Sequence, residues 1–447
     1  MSKRIIVIGT GGAGLVAAIA ARKAGAEVVA VSKTCGGLAS CTAYSAGLFT
    51  LACGGVTPEE HYDRTMKAGM NAGDPELVAA LSADAEKSLQ KLAEWGITVK
   101  FSKGRASVRG SASNALMGGG GLQTELVRTA AALGVRFADW SVVTSLAVAD
   151  GRVTGAAIEN WRNGSRALLP ADAVIIACGG GGQIYSHTDN PARITGGGYA
   201  LALKAGLELR DMEFVQFYPL GWNEPGFPKW MADVALVDYV RVTDADGDEF
   251  LKKAIAQWGL KDGREANLYA RDKCAALVAE KDAAGGVFVH LEDAESGTWN
   301  DSYFQYCLTI NSGFFDGHRK PLRAAPLEHY FCGGVKTDAH CRTGVKGLYA
   351  CGEATGGVDG ANRVGGNALS NIVTFGLRAG ETAAAERGSS GREACGAASA
   401  AIFRISPDGH DPAELRKELQ RQAWRAIGPI RRKNGMENFL SFIESFK

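Results

Sequence analysis

The chain reads as an α/β protein in which a parallel sheet with a small antiparallel layer is interrupted by an inserted α+β capping domain. Three observations predict this. Short apolar, β-branched runs from Arg4 to Ile8, Glu27 to Val31 and Ala173 to Ala177 suit strands buried on both faces. The first two bracket a helical stretch ending in LVAAIAARKAG, which makes a βαβ unit. From Glu213 to about Pro326 the glycine-rich pattern gives way to aromatics (Tyr218, Trp222, Trp230, Trp258, Trp299, Tyr303, Tyr306) among charged helices. The expected organisation is a first domain over 1–212, the insert over 213–328, re-entry over 329–386, and a linker with terminal helices over 387–447.

Between the first two strands stands Gly9-Thr-Gly11-Gly12-Ala13-Gly14, a GxGxxG in the strand–turn–helix context that makes it credible. Its glycines admit a pyrophosphate to the helix N-terminus. Only one such motif is present, so one dinucleotide is expected, not two. At the end of the second strand, where an acidic residue usually holds the ribose, stand Ser32 and Lys33. The small-residue stretch TCGGLASCTAYSAGLF, 34–49, is expected to run beneath the cofactor ring. Helical patterns fill Pro58 to Gly96, a loop is expected from Arg105 to Gly121, and Asp150-Gly151 marks a hairpin. The third strand ends in Cys178 and four glycines, a second point of close backbone approach.

Leu327 to Gly376 carries the densest chemistry. Glycines at 352, 356, 357, 360, 365 and 366 lead into a helix from Asn367, with Leu369, Ile372, Val373 and Gly376 at helical spacing. His329 and Arg363 supply anion-binding side chains beside this helix start.

Composition narrows the function. The 49 basic and 48 acidic side chains nearly cancel, which argues against nucleic acid or an anionic membrane surface as partner. No run approaches the ~20 apolar residues of a transmembrane helix, and MSKRIIVIG enters a strand without a signal peptide, so a cytoplasmic location is expected. The ten cysteines form no CxxC and read as thiols, with no metal or cluster site expected.

Four stretches together resemble the flavoprotein family of succinate dehydrogenase, fumarate reductase and aspartate oxidase: GTGGAG with VSK, ACGGGGQIY, ARDKCAA, and HYFCGGV with GEATGGVDGANRVGGNAL. The likeness spans residue 4 to about 385 and resumes weakly in RQAWRAIGPIRRKNGMENF. The resemblance implies a Rossmann-like domain binding FAD through Gly9, Gly11, Gly12, Ala13, Gly14, Ser32, Lys33, Cys41, Thr42, Ala177, Gly179, Gly180 and Glu353, with Asn367, Ala368 and Leu369 at the isoalloxazine ring. Cys41 stands where the family's covalent histidine falls, so the FAD is expected to be non-covalent. His329 and Arg363 match the family's carboxylate clamp, and Arg271 its proton-transferring arginine.

Three positions depart from the family. Gln216-Phe217-Tyr218-Pro219 replaces Gln-x-His-Pro, and the Thr-Glu…Arg group falls on Ala232, Asp233 and Leu236. The expected activity is therefore FAD-dependent oxidoreduction of a carbon–carbon bond next to a carboxylate, on an unsaturated monocarboxylic acid rather than fumarate. Tyr218 would meet the substrate's far end, with Trp222 and Trp230 as apolar surface. The competing expectation is an electron-transfer flavin subunit served by an electron-carrier protein or an iron–sulfur partner. The retained Arg271, His329 and Arg363 favour the enzyme.

Overall fold

The computed structural model describes residues 2–109, 118–310, 312–386 and 411–446. They form two compact units. The first comprises 2–181, 191–215 and 331–386, and the second 182–190, 216–330 and 411–446. Most of the linker expected after 387 lies outside the described residues, as does 110–117.

In the first unit five parallel strands run in the order Leu348–Ala350, Ala173–Ile176, Arg4–Ile8, Glu27–Val31, Arg136–Ala138. Ile5, Ile6 and Val7 are wholly buried, as continuous β-branched runs require. Helices Gly12–Lys23 and Asn367–Ala385 pack side by side on this sheet's glycine-rich end. A Cβ at Gly376 would lie 2.9 Å from the Ala13 carbonyl oxygen, and one at Gly380 2.3 Å from that of Ala17. Partners rise in number together along both helices, so the two run parallel and their N-termini share one end.

Helices Pro58–Ala68 and Pro75–Glu94 fill the expected helical stretch, each with proline in its first turn. Thr57 and Glu60 close a reciprocal capping box on the first, and Asp74 caps the second. A three-stranded meander (Ser141–Ala149, Arg152–Asn160, Arg166–Pro170) forms the antiparallel layer. Its hairpin turns at Asp150 and Gly151, both at positive φ (52° and 70°), as a type I′ turn demands. The loop expected from Arg105 begins instead as a strand, Arg105–Arg109, between Leu48–Thr50 and Thr98–Ser102. Its alternation, with Ala106 and Val108 inward, is too short to read against the neighbouring glycines.

The second unit holds a five-stranded sheet ordered Met231–Ala232, Val215–Trp222, Pro321–Phe331, Val287–His290, Val242–Asp244. Its core gathers Leu220, Trp222, Leu251, Val289, Phe304 and Phe315. Trp222 is only 1% exposed, donates its indole N–H to the Leu308 carbonyl at 3.3 Å and packs on Phe315. It is a core residue, which corrects the expectation that it offers apolar surface to a ligand. The terminal helices are Pro412–Ile427 and Lys433–Glu444. The first grips 182–190: Arg416 Nη2 and Gln420 Nε2 donate to Gln183, and Trp424 lies 4.6 Å from the His187 ring. Burial there pushes the His187 pKa down to about 4. Among the described residues no helix is long and apolar enough to cross a membrane.

The glycine contact between the two parallel helices is testable by sign. Glycine to alanine in a helix interior ordinarily stabilises by roughly 1 kcal/mol. Gly380→Ala should instead destabilise, by about 1–3 kcal/mol, because the facing atom is backbone and cannot swing aside. A lower denaturant midpoint at unchanged m-value is the expected result; a raised midpoint would show that the helices have room to part.

Candidate functional site

Backbone register builds the first half of the site. Val31 pairs with Ile8, Ile8 with Ile176, and Ile176 with Ala350, so four adjacent parallel strands end level. Gly9–Gly14, Ser32–Lys33, Ala177–Gly180 and Gly352–Glu353 follow directly from those ends. Ligands of open α/β sheets bind outside the carboxyl ends of the strands. The parallel helices point their N-termini at the same place, which favours negative charge there.

The glycines fall into two kinds. A Cβ on Gly14 would lie 1.9 Å from the Gly9 carbonyl oxygen, and one on Gly9 2.4 Å from that of Ala177. Those two glycines are required by the protein itself. At Gly11 a Cβ would meet only Ser40, at an ordinary 3.5 Å, and Gly11 gives its helix no side-chain cap. Close approach by a ligand is what a bare backbone there serves. The cradle fits a pyrophosphate.

Other expected cofactor residues are placed as follows. Gly12 N–H donates to Thr42 Oγ1 (3.1 Å), pinning the short helix Cys41–Tyr44 against the phosphate turn. Ser32 Oγ accepts from Thr10 Oγ1 (2.7 Å) and the Thr34 amide (3.2 Å), so its hydroxyl braces the loop. Lys33 Nζ reaches Thr195 Oγ1 (2.9 Å). Gly179 takes φ 75°, and Glu353 lies so close over Gly180 that a Cβ there would fall 2.5 Å from its Oε1. That oxygen accepts from the Phe331 amide at 3.2 Å.

Asn367 is wholly buried. Its Oδ1 faces His61 Nε2 at 3.0 Å, its Nδ2 donates to Thr65 Oγ1 at 3.1 Å, and its amide donates to the Val364 carbonyl. The side chain thus anchors the helix start to Pro58–Ala68. The donors a helix start leaves over are the backbone N–H groups of Ala368 and Leu369. Burial lowers the His61 pKa, so its ring is a neutral strut. No sequence signal marked this histidine. Arg363 stands just before this helix, 6% exposed.

In the second unit Tyr218, Arg271 and His329 come together. Arg271 opens helix Arg271–Ala284 and is 5% exposed. Its Nε donates to Asn267 Oδ1 (3.0 Å), and its guanidinium carbon lies 5.0 Å from the Tyr218 ring centre. Tyr218 stands edge-on to the His329 ring at 5.4 Å. Asn267 Nδ2 donates to Asp233 Oδ2 (2.9 Å) and to the Tyr218 oxygen (3.1 Å), and the phenol donates to Asp233 at 3.4 Å. Burial pushes the Tyr218 pKa well above the usual range, so it is a neutral phenol. Burial also raises the Asp233 pKa, outweighing the Ala235 amide and Arg271. Asn267 was not expected. It precedes Arg271 by four residues but sits on a separate helix, Gly263–Tyr269, so helical spacing could not reveal it.

Level strand ends, a glycine cradle and two helix N-termini define a dinucleotide-binding protein. A family model described as an FAD binding domain matches residues 4–369, and the chain belongs to that family. It is 31% identical over 470 residues to the fumarate reductase (CoM/CoB) flavin-family chain of Methanothermobacter marburgensis, covering 99% of this chain and 84% of that protein. It is 33% identical over 399 residues to L-aspartate oxidase of Streptomyces coelicolor, covering 84% and 67%. Its fold matches a mutant E. coli quinol fumarate reductase chain with a TM-score of 0.83 and 25% identity, over 100% of this chain and 82% of the other. The chain is a flavoprotein oxidoreductase with FAD as cofactor.

Position 41 tests the mode of attachment. With cysteine there and no histidine, the flavin should be released by acid precipitation, giving a colourless pellet and a supernatant with the mass of FAD. A fluorescent protein band on a denaturing gel would contradict this.

Proposed function

We propose that the chain reduces or forms a carbon–carbon double bond beside a carboxylate, with Arg271 moving the proton and an unsaturated monocarboxylic acid as substrate. The observation that carries this reading is the buried cluster of Arg271, Tyr218 and His329. A cation buried at a helix N-terminus stands against the helix dipole. A purely structural arginine has little reason to be there.

Bound FAD supplies the hydride for one carbon of the double bond. This chain's residues are left to hold the carboxylate and to deliver a proton to the other carbon. His329 and Arg363 are the proposed carboxylate ligands, the guanidinium through paired N–H donors. Arginine is a weak acid, with a pKa above about 12. The carbanion formed beside a carboxylate is more basic still, so the proton moves downhill.

The substrate's far end is argued from Tyr218. A neutral phenol beside a buried Asp233 offers no positive charge to a second carboxylate. Losing one charge-assisted hydrogen bond costs about 1.5–3 kcal/mol, before the desolvation of an unpaired carboxylate is added. A dicarboxylate is therefore disfavoured. A second reading is a flavin subunit passing electrons to a partner. It draws on the Methanothermobacter relative, which is named as one subunit of its fumarate reductase. Helix Lys433–Glu444, with Leu440 58% exposed and Met436 40%, would then face that partner.

Turnover of enoates by the purified holoenzyme with reduced viologen separates the two readings. The expected order is higher kcat/KM for monocarboxylic enoates of increasing apolar bulk than for fumarate. A tenfold preference for fumarate would instead make Tyr218 a neutral replacement in a dicarboxylate site. No turnover of any enoate would favour the subunit reading.

The two arginines should separate kinetically. Arg271→Ala is expected to keep full FAD content and fast flavin reduction while turnover falls by about 10²–10⁴-fold, as for loss of a general acid. Arg363→Ala should raise KM as well as lower kcat. Normal turnover by Arg271→Ala would remove it from the mechanism.

A further inference from the structure

On the reading that His329 binds a substrate carboxylate, something must hold that ring. Its Nδ1 lies 2.8 Å from Asp189 Oδ2, and the other Asp189 oxygen accepts from Asn190 Nδ2 at 3.3 Å. The Asp189 side chain is 7% exposed and that of His329 20%. The segment carrying Asp189 is zipped along strand Pro321–Phe331. Glu328 N–H donates to the His187 carbonyl (2.8 Å), and Asp189 N–H to that of Glu328 (3.3 Å). Thr188 Oγ1 bonds Glu328 Oε2 (2.5 Å), and Asn190 Nδ2 donates to the His329 carbonyl (3.0 Å). Backbone pairing therefore delivers the carboxylate to the ring, while Tyr218 closes another side edge-on. Among the described residues, Nε2 has no hydrogen-bond partner.

An ionised carboxylate only accepts, so the proton between the two groups belongs to Nδ1. Nε2 is then the nitrogen that meets a ligand. A singly protonated ring held this way has no N–H at Nε2, so only the doubly protonated ring can donate to a substrate carboxylate. We propose that Asp189 is the positioning residue of the site: it fixes the His329 ring and its Nδ1 proton, and serves as counter-ion to the doubly protonated ring that binds substrate. The electrostatics of carboxylate binding thus extend to a residue 140 positions away in sequence.

The test compares holoenzymes carrying Asp189→Asn, His329→Gln and Thr188→Val. It measures kcat and KM on the best enoate, and Kd for a saturated monocarboxylate by flavin absorbance. Melting temperature and 15N-imidazole NMR complete the set. Asp189→Asn should raise KM and Kd by roughly tenfold, the low end of what losing the partner of a ligating histidine costs at metal sites, with a small effect on kcat. Thr188→Val, which loosens the zipper without touching the ring, should lower the melting temperature and leave KM and Kd alone. If Asp189→Asn behaves like Thr188→Val, the role is structural and the proposal is overturned. Raised KM and Kd in His329→Gln with neither raised in Asp189→Asn overturn this inference alone; unchanged values in His329→Gln bring down the carboxylate-binding reading as well. Should Asp189→Asn yield no holoenzyme, NMR of the unmodified protein decides. A protonated Nδ1 on His329 is expected, and a bare Nδ1 with the proton on Nε2 would refute the assignment.

Discussion

Helices Gly12–Lys23 and Asn367–Ala385 approach so closely that any side chain at Gly376 or Gly380 would strike the facing backbone. Because they run parallel, their dipoles lie side by side with like ends together, an arrangement that costs electrostatic energy by itself. Close packing on the sheet holds them there, and the unfavourable alignment becomes the feature a ligand can use. Two positive helix ends beside four level strand ends form one anion-binding region. A pyrophosphate at the first end and an electron-rich ring edge at the second would each relieve part of the repulsion. Asn367, locked to His61 and Thr65, holds the second helix start in register, so the buried histidine belongs to the cofactor machinery although it need touch no cofactor.

The second unit poses an opposite electrostatic problem. Arg271 is buried, and a buried cation is tolerated only when paired or hydrogen-bonded. The nearby carboxylate is Asp233, yet burial pushes that carboxyl toward its protonated form, and Asn267 lies between the two. Tyr218 contributes the electron-rich face of its ring at 5.0 Å, a contact of about 0.5–2 kcal/mol. These partners hold the guanidinium in place without neutralising it fully. A negatively charged ligand would complete that balance.

Local sequence carried the first unit far better than the second. The glycine turn, the β-branched strands and the Asp150-Gly151 hairpin are written in consecutive residues, because each meets a backbone requirement over a few positions. The strand Arg105–Arg109 escaped because two inward residues are too few to set a period. Trp222 was misplaced for another reason. An aromatic after a substrate motif reads equally well as a pocket wall or a core residue, and only its contacts with Leu308 and Phe315 decide. The Asp189–His329 and Asn267–Tyr218 pairs are side-chain meetings made by strand pairing and helix packing, and no spacing rule anticipates them.

Tyr218, Leu236 and Asp233 are best understood as one coupled set. A histidine at 218 and an arginine at 236, as the resemblance would have them, would bring positive charge to a carboxylate at 233 and hold it ionised. With a phenol at 218 and leucine at 236 that support is gone, and what remains around Asp233 is one backbone amide, one side-chain amide and one hydroxyl. Those donors cannot offset full desolvation, so the carboxyl drifts toward neutrality. The loss therefore removes charge of both signs: cations that could bind a second substrate carboxylate, and much of the anion that would have balanced Arg271. A distal end thus stripped of charge matches an uncharged group, while the cation that remains matches a single carboxylate nearby. Reverting Tyr218 alone would put an imidazole beside a carboxyl still deprived of its arginine, so dicarboxylate binding requires changes at both 218 and 236.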